Sequence, residues 1–184
     1  MNVDVVDLIT QDHREVERLF DELKTHPDKR PLLTPVLCAV LTAHSRAEEA
    51  EVYPVAKDEA GEVEEIEHSQ EEHAEAEQLP ARLSEADPTS PAYDEVLTKL
   101  VDAVTHHVQE EETKVLPGMR QRLSEERRAE LGRAFATSRG EHLGDRPGQG
   151  TRDELLVQAR NAGLSGAASM SKEQLNKELH KLPS

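Results

Sequence analysis

Apolar residues recur along this chain at spacings of three and four, and no stretch alternates apolar with polar residues as a half-buried strand does. Glycine occurs only at Gly61 and Gly118 before residue 132, so little interrupts the helical pattern. The spacing predicts an all-α fold. A first helix is expected from about Val3 to Leu23, closed by the Thr25–Pro27 stretch. Thr34-Pro35 offers an N-cap and an N1 proline for a second helix, which reaches past Glu51 towards Ala60 with a kink at Pro54. A third follows Gly61 and ends near Asp87-Pro88, and Ser90-Pro91 starts a fourth that ends at about Pro117-Gly118. Four helices of about 20 residues with short connectors make an up-down-up-down bundle. A fifth, about Ser124 to Ser138, is too polar to be central and is expected across the bundle end.

Residues 1–139 are therefore assigned to the bundle, and 140–150 (GEHLGDRPGQG) read as a linker by composition. Residues 151–184 form a small separate module. It contains two short helical segments with capping boxes at Thr151–Glu154 and Ser171–Gln174, separated by Gly163–Gly166. Charge supports the division. The chain carries 22 Lys+Arg against 38 Asp+Glu, a net charge of -16. Five basic and four acidic residues lie in 152–184, so the rest stands at -17. A body that acidic repels phosphate backbones, which argues against DNA or RNA as its partner.

The single cysteine, Cys38, excludes an intramolecular disulfide and a cysteine-based zinc or iron–sulfur site, and its position suits core packing. No apolar run approaches the roughly 18 residues of a membrane span. Asp4, Asp7, Asp12 and Glu15 interrupt the stretch where a secretory signal would lie. The expectation is a soluble, cytoplasmic protein with no membrane partner.

The informative residues are polar ones on the apolar stripes. The first helix has Val6, Ile9, His13, Val16 and Phe20 in phase, and the second has Leu37, Leu41, His44, Glu48 and Val52. The third has Ile66, Gln70, His73, Ala76 and Pro80, and the fourth has Leu97, Leu100, Val104, His107, Glu111 and Val115. Each helix thus turns a histidine inward, and two add a carboxylate. An internal repeat supports the phase: His44-x3-Glu48-Glu49 and His107-x3-Glu111-Glu112 both place histidine ten residues before a proline, Pro54 or Pro117. It selects His107 over His106, which shares a solvated face with Lys99, Asp102 and Glu110.

Inward imidazoles and carboxylates left unpaired each cost a few kcal/mol. A pair of divalent cations would satisfy them together. Nitrogen and oxygen ligation without thiolate suits iron or manganese, and zinc also accepts it. The competing reading is a coincidental set of core histidines. His68 with Glu72 reads as a surface ion pair, because Glu64, Glu65 and Glu71 share its face. The acidic runs 48–51, 62–67 and 109–112 read as solvated, apart from Glu48 and Glu111.

The order His13, His44-x3-Glu48, His73, His107-x3-Glu111, with the endings EEAEVYP and EEETKVLP, resembles bacterial hemerythrin-like HHE cation-binding domains over about residues 3–120. The resemblance implies a left-twisted four-helix bundle around a non-haem di-iron site. In it His13 and His44 would bind one iron, His73 and His107 the other, and Glu48 and Glu111 would bridge them. Oxygen-carrying hemerythrins have a His-x3-His pair on the third helix, where this chain has Ser69, and bridge with Asp where it has Glu111. One histidine fewer leaves a position for His68, Glu77 or water; Tyr53, beside Pro54, lies close enough in sequence to approach, with packing its favoured role. The implied ligand is O2, NO or peroxide, with peroxidase- or catalase-like chemistry as the enzymatic version.

Two other classes remain: iron storage or sensing without redox catalysis, and a non-metal stress or interaction protein acting through its C-terminal module. That module, TRDELLVQARNAGLSGAASMSKEQLNKEL, resembles the helix–extended–helix unit at the N-terminus of the transcription terminator Rho. The resemblance implies weak nucleic-acid or protein contact through residues 151–184.

Overall fold

A computed structural model describes residues 4–76, 78–143, 152–161 and 164–179. Among the described residues there is no strand. Helix α1 spans Val5–Thr25 and starts at Asp4, whose side chain accepts from the Val6 N–H at 2.9 Å. Helix α2 (Arg30–Ala47) continues through a π-turn at Glu48–Val52 into α3 (Tyr53–Ala60), which ends on Gly61 at φ +72°. That left-handed conformation favours glycine. Helices α4 (Val63–Ala76) and α5 (Gln78–Glu85) form the third rod. The fourth rod is α6 (Pro91–Glu110), a π-turn at Glu111–Val115 and α7 (Leu116–Arg122). These four rods form the expected hemerythrin-like helical bundle.

Three local expectations are corrected. Helix α2 begins at Arg30 with Pro31 in its first turn, and Pro35 lies inside it. Thr34 does not cap, because its hydroxyl is engaged with the Tyr93 hydroxyl at 2.6 Å. The fourth rod passes Pro117-Gly118 and ends at Arg122. The fifth helix, α8 (Glu125–His142), does not cross the bundle end but lies along α1 and α2. Although polar on average, it buries Leu131, Phe135 and Ala136, together with the small residues Gly132, Ser138 and Gly140. Arg128 pairs with Asp4 at 2.7 Å and Arg139 with Asp12, which fixes its register on α1.

The core has two apolar layers. One contains Ile9, Ala47, Val52, Ile66, Val115 and Phe135, and the other contains Val16, Leu37, Ala43, Leu83, Leu97 and Leu100. Each fully buried large apolar side chain contributes about 1.5–3 kcal/mol. His13, His44 and His107 lie between residues of the two layers on their own helices. The polar residues therefore form a slab between two dry apolar plugs.

Beyond the bundle, α9 (Arg152–Asn161), a 3-10 turn at Ala167–Ser169 and α10 (Lys172–Leu179) gather Leu155, Ala159, Ala167 and Leu175 into a small cluster of their own. The Ser171–Gln174 capping box is present: the Ser171 N–H donates to Gln174 Oε1 at 2.8 Å, and the Gln174 N–H donates to Ser171 Oγ at 3.2 Å. Thr151 and residues 144–150, most of the expected linker, lie outside the described residues. Helix α9 also packs on α2, so the module is not free of the bundle.

Candidate metal centre

The two π-turns begin on Glu48 and Glu111 and end just before Tyr53-Pro54 and Leu116-Pro117. A proline has no N–H to donate, and its ring clashes with the carbonyl four residues back. The helix widens here: the Tyr53 N–H bonds the Glu48 carbonyl and the Leu116 N–H bonds that of Glu111. Residues five apart diverge by about 140° in a regular helix. The widened turn brings Glu48 and Tyr53 onto one face, and the Tyr53 hydroxyl donates to Glu48 Oε2 at 3.2 Å.

The six sequence-selected residues come together. His13, His44, Glu48 and Glu111 are all buried and offer ligand atoms within 4.8 Å of one another, as do Glu48, His73 and His107. Glu48 Oε1 lies 3.0 Å from His44 Nε2 and its Oε2 lies 3.5 Å from His73 Nε2. Glu111 Oε2 lies 3.2 Å from His13 Nε2 and 3.9 Å from His107 Nε2. Among the described residues, His13 Nε2, His44 Nε2, Glu48 Oε1 and both Glu111 oxygens are buried with no hydrogen-bond partner. These atoms are close but misaligned, facing a common space rather than each other. Buried polar atoms in that condition fit a cation placed among them.

Around this set stands a second ring of carboxylates. His13 Nδ1 meets Glu112 at 2.8 Å and His44 Nδ1 meets Asp12 at 3.1 Å. His107 Nδ1 meets Glu72 at 3.2 Å and His73 Nδ1 meets Glu49 at 3.4 Å. A carboxylate hydrogen-bonded behind His13, His44 and His107 fixes each ring so that its other nitrogen points inward, the usual support for a metal-binding histidine, whereas His73 Nδ1 is near Glu49 but makes no hydrogen bond among the described residues. The arrangement is pseudo-twofold. Asp12-His13 on α1 matches Glu72-His73 on α4, and His44-x3-Glu48-Glu49 matches His107-x3-Glu111-Glu112.

The hemerythrin HHE cation-binding domain family matches residues 4–119. The chain belongs to that family. A DNA nickase from Nostoc sp. (strain PCC 7120 / SAG 25.82 / UTEX 2576) is 28% identical over 140 residues, covering 75% of this chain and 40% of the relative. The chain thus spans less than half the length of that curated relative. No solved structure matches at a significant level.

Within this HHE domain the buried carboxylates and imidazoles set one another's charge. Burial opposes charge on His44, but Glu48 and Asp12 outweigh it and carry its pKa well above the ordinary 6.5. Burial likewise opposes charge on His13, and Glu111 raises it. Burial would lift the Glu111 carboxyl, yet His13 and His107 hold it down at about 2. Burial and the neighbouring His107 ring push His73 down to about 3, so it is neutral.

Three further outcomes bear on the sequence reading. His68 does not fill the position left at Ser69: it is 51% exposed and faces Glu72 and Glu110, while Ser69 is buried. Glu77 lies outside the described residues. Tyr53, expected mainly to pack, reaches the centre, with its hydroxyl 3.3 Å from His73 Nε2 as well as on Glu48. Burial, with Glu48 next, raises its pKa well above 10.0, so the phenol keeps its proton. Asp12, Glu49, Glu72 and Glu112 escaped the sequence reading. Their signal was an acid directly before each odd-helix histidine and the second glutamate of each repeat.

Proposed function

We propose that this HHE domain holds two iron ions, one by His13 and His44 and the other by His73 and His107, with Glu48 and Glu111 bridging. The observation that carries the reading is that each carboxylate reaches one histidine of each pair. The site has no thiolate, and its four imidazoles and two carboxylates suit iron above zinc, with manganese the nearest competitor. A ferrous pair in such a site supplies electrons and open positions to O2, NO or peroxide.

The protein's own residues do the rest. The outer carboxylates hold the imidazoles inward. Tyr53 donates to Glu48, and its phenol keeps its proton beside the buried histidines and carboxylates. Ser69, small and buried, leaves room where a histidine would crowd it. The apolar layers above and below exclude water. We read the protein as one that binds, senses or reduces one of these small oxidants or gases, with peroxidase- or catalase-like turnover as its enzymatic form.

The curated relative is named for nicking DNA. The -17 charge on residues 1–151 disfavours a phosphate backbone as the partner of this bundle. Any nucleic-acid or protein contact is assigned to residues 151–184, the module whose sequence resembles the Rho unit. Metal analysis and gas titration of the purified protein test the proposal. Two irons per chain, with a visible spectrum that changes when the reduced protein meets O2, NO or peroxide, is the expected result. Iron held without any spectral response would favour storage or sensing, and a stable protein that takes up no metal would overturn the reading.

A further inference from the structure

One break in the pseudo-twofold symmetry is chemically specific. In the α1–α2 half, Asp12 supports His44 through one oxygen, and its other oxygen is held by the Arg139 guanidinium from α8. In the α4–α6 half, Glu72 supports His107 through Oε2 at 3.2 Å. Among the described residues its Oε1 meets no guanidinium. It faces His106 Nε2 at 3.3 Å and His68 Nε2 at 3.6 Å. The second oxygen-bearing neighbour is Glu110, whose Oε2 lies 3.3 Å from His68 Nε2.

These four residues are two His/Glu pairs at i, i+4, His68 with Glu72 on α4 and His106 with Glu110 on α6. By the repeat, the positions equivalent to His68, His106 and Glu110 are Leu8, Ala43 and Ala47. Those three are apolar: Ala43 and Ala47 are fully buried, Leu8 partly so, and α8 packs on their helices. An uncovered helix face calls only for any solvated residue, such as the Lys and Glu common elsewhere in this chain. Here it carries two imidazoles aimed at two carboxylates across the groove.

We propose that His68, Glu72, His106 and Glu110 form a second, surface site for a borderline divalent cation of the zinc type, which takes the place on Glu72 that Arg139 holds on Asp12. The spacing fits. Ligands about 2.1 Å from a tetrahedral ion stand about 3.4 Å apart, and the contacts observed are 3.3, 3.3 and 3.6 Å. All four ligand atoms lie within 4.8 Å of one another. The remaining oxygen of each carboxylate is already anchored, Glu110 Oε1 by Lys114 at 2.5 Å and Glu72 Oε2 by His107. His68 and His106 are 51% and 61% exposed, so an ion reaches them directly from solvent. Because Glu72 is shared, an ion here tightens the support of His107, and the two sites are linked reciprocally. The proposal does not depend on which metal fills the buried centre.

The test is a Zn2+ titration of the full chain already loaded at its buried centre, with bound zinc and retained iron counted in the same samples. The expected result is one zinc per chain beyond the retained iron. The double variant H68A/H106A should bind that zinc at least tenfold more weakly, with iron content and melting temperature before zinc is added unchanged. A second variant, H106K, sets a fixed ammonium beside Glu72 as Arg139 stands beside Asp12, and should likewise abolish the extra zinc. Equal zinc binding by wild type and both variants, or zinc that appears only as iron is lost, would overturn the proposal.

Discussion

Glu112→Gln isolates the contribution of the outer carboxylates. Glu112 Oε1 accepts from His13 Nδ1 at 2.8 Å, and the same carboxylate pairs with Arg14. Glutamine keeps the acceptor and the shape but removes the charge. A charge-assisted bond is worth roughly 1.5–3 kcal/mol against about 0.5–1.5 for a neutral one, so the change costs about 1–1.5 kcal/mol of orientation at His13. That corresponds to roughly a tenfold loss of metal affinity, at the lower end of what outer-ring substitutions do. The Arg14 pair adds little, since Arg14 is 51% exposed. The assay is chelator competition for ferrous ion under anaerobic conditions. Glu17→Gln, which also removes an Arg14 partner but touches no histidine, is the control and should leave affinity unchanged. Equal affinity in both variants and wild type would refute the inference that Glu112 supports a ligand.

His107→Ala should lower bound metal to at most half, while His106→Ala leaves the buried centre full, because the two side chains point about 100° apart; metal counts on both variants decide it. In the metal-free protein His44 and His13 titrate above the ordinary 6.5, so their stabilisation is complete below that pH and is lost as pH rises through the folded values. Chelated protein should therefore melt progressively lower above pH 6.5, while metal-loaded protein, whose ligands have given up those protons, should not. Parallel melting curves of the two forms against pH would contradict this. Truncation after Leu143 should preserve metal content and a cooperative melt, since among the described residues Leu143 is the last in the bundle's apolar layers and the terminal residues have an apolar cluster of their own; loss of metal on truncation would show that α9 supports the site through α2.

Much of the centre was legible because burying a histidine on an apolar stripe is costly enough to leave a phase signature, and the His-x3-Glu-Glu repeat doubled that signature. His13, His44, Glu48, His73, His107 and Glu111 all meet in one slab for that reason. The outer ring was not legible, because Glu49, Glu72 and Glu112 sit in acidic runs that look like solvated faces. Only the tertiary arrangement turns each towards an imidazole on another helix. Pro54 signalled a disturbance, yet a single sequence does not distinguish a kink from a widened turn, and the difference decides whether Tyr53 faces Glu48. The fifth helix misled through its mean polarity. Leu131 and Phe135, one turn apart, were enough to lay it along α1 and α2. Thr34 looked like a cap until Tyr93, distant in sequence, claimed its hydroxyl.

The most direct test of the central claim is Mössbauer spectroscopy of the chain reconstituted with 57Fe, read together with the iron count. Two irons per chain are expected as a magnetically coupled pair, with the coupling weakened in Glu48→Ala, which removes one of the two carboxylates spanning the histidine pairs. One isolated iron per chain, or two uncoupled ions unaffected by that substitution, would contradict that claim.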